Sequence, residues 1–244
     1  ISARLMDKVG PQPVVGLARK MGIKSYLPKV PSIALGSPDI SLFEMVGAYG
    51  TFANKGIYVE PIMVTTIEDK NGTVVYEVVP ETKDVLSEET AYVTLSLMKG
   101  VTESGSGQRL RHSGAEENNY AYKTIVTGYP YQFTNPIAGK TGTTQNQSDG
   151  WFMGIVPNLV TGVWVGGEDR SIHFEDIAFG QGASMALPIW ALYMKDVYEN
   201  QNLGISQDDF EAPETVTIPI DCEKFDSNKY KLIGTDEDLE DLGF

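Results

Sequence analysis

Ala138-Gly139-Lys140-Thr141-Gly142-Thr143-Thr144 sets a lysine and threonine hydroxyls beside two backbone positions that carry no side chain. Those groups suit the handling of an anion: an ammonium supplies charge, hydroxyls supply directed hydrogen bonds, and glycine lets another backbone come close. The residues downstream decide the setting. Asp149-Gly150 leads into Trp151-Phe152-Met153-Gly154-Ile155-Val156, a β-prone run, and Leu159 to Gly166 is another after a Pro157-Asn158 turn. The lysine is therefore expected on or beside a strand of an antiparallel meander.

A Gly-Lys-Thr string also closes the phosphate-binding loop of nucleotide hydrolases, and the context speaks against that reading. Such a loop needs a glycine five positions before the Gly-Lys pair and a helix directly after it. Thr134 stands at the glycine's place, Pro136 lies inside the would-be loop, and strands come next.

The residues resemble a different family, the transpeptidase domain of class A penicillin-binding proteins. Its serine transferase signatures are Ser-x-x-Lys, Ser-x-Asn and Lys-Thr-Gly in chain order, and Lys140-Thr141-Gly142-Thr143 is similar to the third. The resemblance continues through Asp149-Gly150-Trp151-Phe152-Met153-Gly154, Gly162-Val163-Trp164-Val165-Gly166, Gly180-Gln181-Gly182-Ala183 and Ala186-Leu187-Pro188-Ile189-Trp190, and upstream through Ser41 to Gly56. It runs from residue 1 to about Asn200.

The first two signatures are missing. No Ser-x-Asn occurs in the chain, and the one Ser-x-x-Lys, Ser96-Leu97-Met98-Lys99, falls in an amphipathic stretch opened by Ser87 as N-cap with Glu88 and Glu89 behind it. Ser96 lies after the place where the family carries both motifs, so it is read as a chance match inside a helix. Ile1 to Met6 looks like the family segment that comes directly after Ser-x-Asn, and the chain does not begin with Met. The expectation is an N-terminally truncated domain whose nucleophile is encoded earlier, with unpaired sheet edges or a gap where the preceding strands and helix would sit.

Composition sets outer bounds. The 244 residues are 41% hydrophobic, enough for a sizeable core in one domain. A formal charge of −14 argues against nucleic acid, which demands a positive footprint. Cys222 stands alone and cannot make an internal disulfide, and His112 and His173 are far apart, so no metal site or other cofactor is expected. The longest uncharged apolar stretch, Trp151 to Gly167, is interrupted and falls short of the roughly 20 residues of a membrane span.

Along the chain, apolar spacing predicts two short helices before Gly22, a proline-rich loop through Pro28, Pro31 and Pro38, and a helix over about 40–54 ended by Gly56. Residues 62–68 and 73–79 read as a hairpin around Asn71-Gly72, and 87–101 as a helix ending in the flexible connector Glu103-Ser104-Gly105-Ser106-Gly107. Residues 113–135 have no clean period and read as a loop insertion. The strands around 137–144, 151–156 and 159–166 are apolar at consecutive positions, so both faces must be covered, and a helix over 183–200 supplies one layer. The fold class expected is α+β: an antiparallel β-sheet with helices on both faces, as in penicillin-binding protein transpeptidases and β-lactamases. Residues 1–200 form the transpeptidase part, and 201–244 an acidic C-terminal extension, partly disordered.

The resemblance implies acyl transfer by a serine on D-alanyl-D-alanine stem peptides, with β-lactams as competing ligands. It places Lys140, Thr141, Gly142 and Thr143 in substrate binding and gives Lys140 and the N–H of Thr143 catalytic parts, the latter as one oxyanion-hole donor. Thr144, Gln145 and Asn146 read as turn and rim residues, and Trp151 and Trp164 as core or support. The parent would also carry a glycosyltransferase domain, lie on the periplasmic side of the inner membrane behind an N-terminal anchor, and meet its own N-terminal part and other cell-wall synthesis proteins. A sensor that binds cell-wall peptide or β-lactam without turnover is the alternative.

Overall fold

The structure, a computed structural model, describes residues 2–111 and 131–220. His112, Cys222, the acidic block 236–241 and most of the expected loop insertion lie outside the described residues.

Two helices, Ser2–Val9 (α1) and Pro11–Lys20 (α2), open the chain. Pro11 takes the first helical position, where an absent N–H leaves nothing unsatisfied, so it starts α2 where the sequence suggested punctuation. The proline-rich stretch holds a 3-10 turn, Pro31–Leu35. Leu42–Ala53 (α3) opens on a capping box: the Glu44 N–H donates to the Ser41 hydroxyl, and the Ser41 N–H donates to the Glu44 carboxylate, each at 3.2 Å.

A ribbon comes next. Thr66–Glu68 (β2) pairs with Val74–Glu77 (β3) as the expected hairpin, shorter than anticipated, with Gly72 at φ 81° in its turn. Ile57–Val59 (β1) and Thr82–Asp84 (β4) pair outside it, which the sequence did not indicate. Thr-Lys-Asp carries no strand pattern, and the pairing exists because the hairpin brings the two segments side by side. Glu88–Glu103 (α4) is capped by the Ser87 hydroxyl, which accepts from the Thr90 N–H at 3.1 Å.

The central sheet has the order Ala138–Thr143 (β5), Asp149–Val156 (β6), Leu159–Gly166 (β7), antiparallel throughout. Two helices, Ile177–Gly180 (α5) and Gly182–Glu199 (α6), follow the sheet. Side chains alternate across the pleat, so β6 faces two cores. Phe152 points to α6, where its ring meets Trp190 edge-on at 5.1 Å, and Val156, Leu187 and Met194 close the same cluster. Ile155 points the other way, into a cluster with Ala138, Leu95 of α4 and Phe210. Phe152 and Trp190 are fully buried, and each such side chain contributes on the order of 1.5–3 kcal/mol through water removed from its surface. Both faces are covered, α6 on one and α3 with α4 on the other, as the continuous apolar runs demanded.

The outer edges of β5 and β7 have no strand partner among the described residues. The chain after α6 does not leave the body at once. Asn158 ties down Gly204 and Ser206, Phe210 is buried, Lys99 and Asp209 pair at 2.7 Å, and Glu89 accepts from Thr217 and Ile218. The described part of the acidic extension is therefore a strap against α4.

Candidate active site

The register of β5 against β6 determines what its free edge presents. Antiparallel ladders bond through alternate residues. Thr144 N–H donates to Asp149 C=O at 3.1 Å, at the end of an unbroken register in which Lys140 faces Met153 and Gly142 faces Trp151. Residues of that parity, 142, 140 and 138, turn their backbone groups toward β6. Gly139, Thr141 and Thr143 turn theirs outward. Two observations agree: Ile137 C=O, of the outward parity, accepts from the Thr102 hydroxyl of α4 at 2.6 Å, and Thr141 C=O accepts from the Lys140 ammonium at 2.7 Å. Thr102 covers the start of the edge, leaving the stretch at Thr141 and Thr143 as its accessible part.

Lys140 is exposed as a residue, yet its surroundings strip enough water from the ammonium to pull its pKa below the ordinary lysine value. The ammonium folds back along the edge onto the Thr141 carbonyl. It lies along the edge where a partner strand would run.

Thr141 and Thr143 share one face of the strand, and each hydroxyl meets a group from another element. The Thr141 hydroxyl lies 2.6 Å from the Ser106 hydroxyl in the connector after α4. The Thr143 hydroxyl accepts the N–H of Gly182, the first residue of α6, at 3.0 Å. Gly182 must be glycine: a Cβ there would fall 2.2 Å from the Gly142 carbonyl oxygen and 2.5 Å from that of Trp151. Arg109, buried in the 3-10 turn Gln108–Leu110, holds this helix start by donating to Ala183 C=O at 3.1 Å and to the Ser184 hydroxyl at 2.7 Å. Neither Ser106 nor Arg109 was anticipated from sequence. Gly105-Ser106-Gly107 reads as a flexible connector, and nothing in it announces a partner 35 residues on.

The expected turn residues behave as such. The Thr144 hydroxyl accepts from the Asp149 N–H at 3.0 Å, and Asn146 and Gln147 take positive φ of 61° and 53° to reverse the chain into β6. Trp151 sits opposite Trp164, which is 41% exposed, so this pair lies at the surface and the buried tryptophan of the domain is Trp190. Ser96 donates to Tyr92 C=O within α4 at 3.0 Å, and Lys99 is engaged by Asp209, so the lone Ser-x-x-Lys string is spent on helix structure. Among the described residues no three His, Cys, Asp or Glu side chains are placed to hold a metal ion, and no helix is long and apolar enough to cross a membrane.

This fold and edge fall within a known class. The family model described as "Penicillin binding protein transpeptidase domain" matches residues 20–168, more than half of the chain. The chain belongs to the penicillin-binding protein transpeptidase family. Its relatives are class A members: it is similar to Penicillin-binding protein 1A of Aquifex aeolicus (strain VF5), 32% identical over 243 residues, covering 98% of this chain and 28% of the relative. Penicillin-binding protein 2D of Bacillus subtilis (strain 168) is 34% identical over 211 residues, covering 86% and 27%. The chain thus spans little more than a quarter of the length of these relatives. Among solved structures, Penicillin-Binding Protein 1A from Haemophilus influenzae superposes with a TM-score of 0.67 at 24% identity, covering 88% of this chain and 34% of that one. PonA1 from Mycobacterium tuberculosis gives 0.67 at 25% identity, covering 88% and 55%. The α+β transpeptidase fold and the class A resemblance expected from the sequence both hold.

Proposed function

We propose that this chain forms the substrate-gripping half of a serine-type D,D-transpeptidase active site in a class A penicillin-binding protein. The observation that carries the reading is the accessible part of β5: Thr141 and Thr143 turn their backbone groups outward, and the Lys140 ammonium lies along the same edge. An extended peptide ending in a carboxylate can pair with such an edge through main-chain hydrogen bonds while ammonium and hydroxyls receive its charge.

In the reaction, a serine hydroxyl attacks the carbonyl carbon between the two terminal D-alanines. The C–N bond breaks, the serine proton leaves on the departing D-alanine amine, and an acyl-serine ester remains. An amine of a neighbouring stem peptide then attacks the ester, a new amide forms, and its proton returns to the serine oxygen. Thr143 N–H, on the outward parity, serves as one oxyanion donor in both steps. The serine, its lysine and the Ser-x-Asn motif come from sequence that this chain does not contain, so the chain alone is inactive. In the whole protein we place a glycosyltransferase domain and a membrane anchor upstream, with the transpeptidase outside the cytoplasm beside other cell-wall synthesis proteins.

β-Lactams, with an acyl group and a carboxylate, would enter the same edge. A solved structure similar in fold, PonA1 from Mycobacterium tuberculosis, is described in complex with penicillin V. Fluorescent penicillin tests the proposal. The whole protein is expected to be labelled covalently and the isolated chain not at all. A labelled serine within residues 1–244, or a whole protein that takes no label, overturns it.

A further inference from the structure

Both threonine hydroxyls of the edge meet a hydrogen-bonding partner from behind. The Gly182 amide can only donate, so at 3.0 Å it occupies a lone pair of the Thr143 oxygen and leaves that hydroxyl's own hydrogen for another acceptor. At Thr141 the partner is a hydroxyl 2.6 Å away, Ser106, which can give or take a hydrogen. A carboxylate can only accept. When it arrives, Thr141 must turn its hydrogen to the ligand, and the Ser106 hydrogen then fills the place behind.

Ser106 is not a wandering loop residue. Gly107 N–H donates to Val101 C=O at 2.8 Å, and Thr102, one turn earlier, is bonded to Ile137 of the chain entering β5. Arg111 reinforces that junction by donating to the carbonyls of Phe133 and Asn135 and to the Thr102 hydroxyl. The hydroxyl is thus held against Thr141 by the end of a helix fastened to the strand it serves.

We infer that Ser106 is a positioning residue for carboxylate recognition: it orients the Thr141 hydroxyl as a donor to the open edge of β5, as Gly182 orients that of Thr143. The inference rests on the proposed function, since it assumes that a carboxylate ligand takes that edge. The hydrogen-bonded pair polarises the outer hydroxyl, which strengthens its bond to an anion more than to a neutral acceptor. Ser106 therefore favours acids over their esters.

The test compares a fluorescent penicillin carrying its free carboxylate with the methyl ester of the same compound, reading second-order acylation rates of the whole protein. Ser106→Ala is expected to slow the acid about tenfold, the loss of one charge-assisted contact's support, and to change the ester less than about twofold. Ser106→Thr, which keeps the hydroxyl, restores most of the acid rate, and thermal midpoints of both variants verify folding. Equal slowing of acid and ester, or an unslowed acid, overturns the role of Ser106. Wild-type labelling by the acid reports separately on the functional reading, and its failure would remove both.

Discussion

The Lys140 ammonium donates to the carbonyl of its own neighbour, Thr141, at 2.7 Å. That carbonyl is an acceptor that an incoming strand would use, so on the proposed function the lysine would swing from it to the ligand's carboxylate when pairing begins. In the whole protein, Lys140→Ala is expected to slow acylation by a carboxylate penicillin by roughly 10²–10³-fold, the scale of losing one preorganised electrostatic contact. Rapid-quench labelling measures it, and an unchanged rate would take Lys140 out of the site.

The same residue gives a pH signature. Desolvation disfavours the charged form, so the ammonium is lost at lower pH than the ordinary 10.5. Acylation by the free acid should decline as pH rises through that lowered pKa. In Lys140→Arg, whose guanidinium stays charged, this alkaline limb should vanish even if the absolute rate falls.

Gly182 seats the start of α6 directly on Gly142 and Trp151. Gly182→Ala would drive a methyl into two carbonyl oxygens, neither of which can swing aside. The helix must lift, which we expect to cost about 1–3 kcal/mol or more and to part the Gly182 N–H from Thr143. Denaturant unfolding of the whole protein would register the first effect. A Gly182→Ala variant with wild-type stability and acylation would show the contact to be looser than 2.2 Å implies.

Glu44 fastens a loop to α3. Partial burial opposes its ionisation, but hydrogen bonds from the Ser25 and Ser41 hydroxyls and the backbone N–H groups of Lys24 and Ser25 outweigh this and hold its pKa at about 2, from 4.5. A depressed carboxylate pKa stabilises the fold above the unfolded value, and that contribution fades as pH falls from about 4.5 to about 2. After allowance for solvent screening, Glu44→Gln should cost about 1–2 kcal/mol at neutral pH. Its deficit against wild type, read by denaturant unfolding, should shrink below pH 4.5.

Phe210 anchors the C-terminal strap between Leu95, Ala138 and Ile155. Phe210→Ala should destabilise the domain by about 3 kcal/mol. Lys55→Ala, which removes exposed, solvent-screened ion pairs to Glu88 and Glu211, should destabilise far less than Phe210→Ala. Thermal denaturation compares them. Equal, small effects would mean that the strap is not part of the cooperative unit.

Much of the framework was legible because it is written in local rules. Ser87 before Glu88 and Glu89, and Asn71-Gly72, each satisfy a few neighbouring backbone groups, and the structure uses them as cap and turn. The consecutive apolar residues of β6 announced a sheet covered on both faces, because alternation across the pleat leaves no face for water. The pairing of β1 with β4 was not legible, since three-residue strands carrying Lys83 and Asp84 have no period to read.

By itself, the sequence determined the main helices, the three central strands, and that Lys140 to Thr143 lie on a strand with two glycines close by. Tertiary structure alone decided which edge of that strand stays accessible, that Ser106 reaches Thr141 and Gly182 reaches Thr143, and that Phe210 closes the far core. The reason is physical: periodicity and capping report what a residue does with neighbours a few positions away. A single polar or aromatic side chain meets a distant partner only after the packing of whole elements has fixed the space between them.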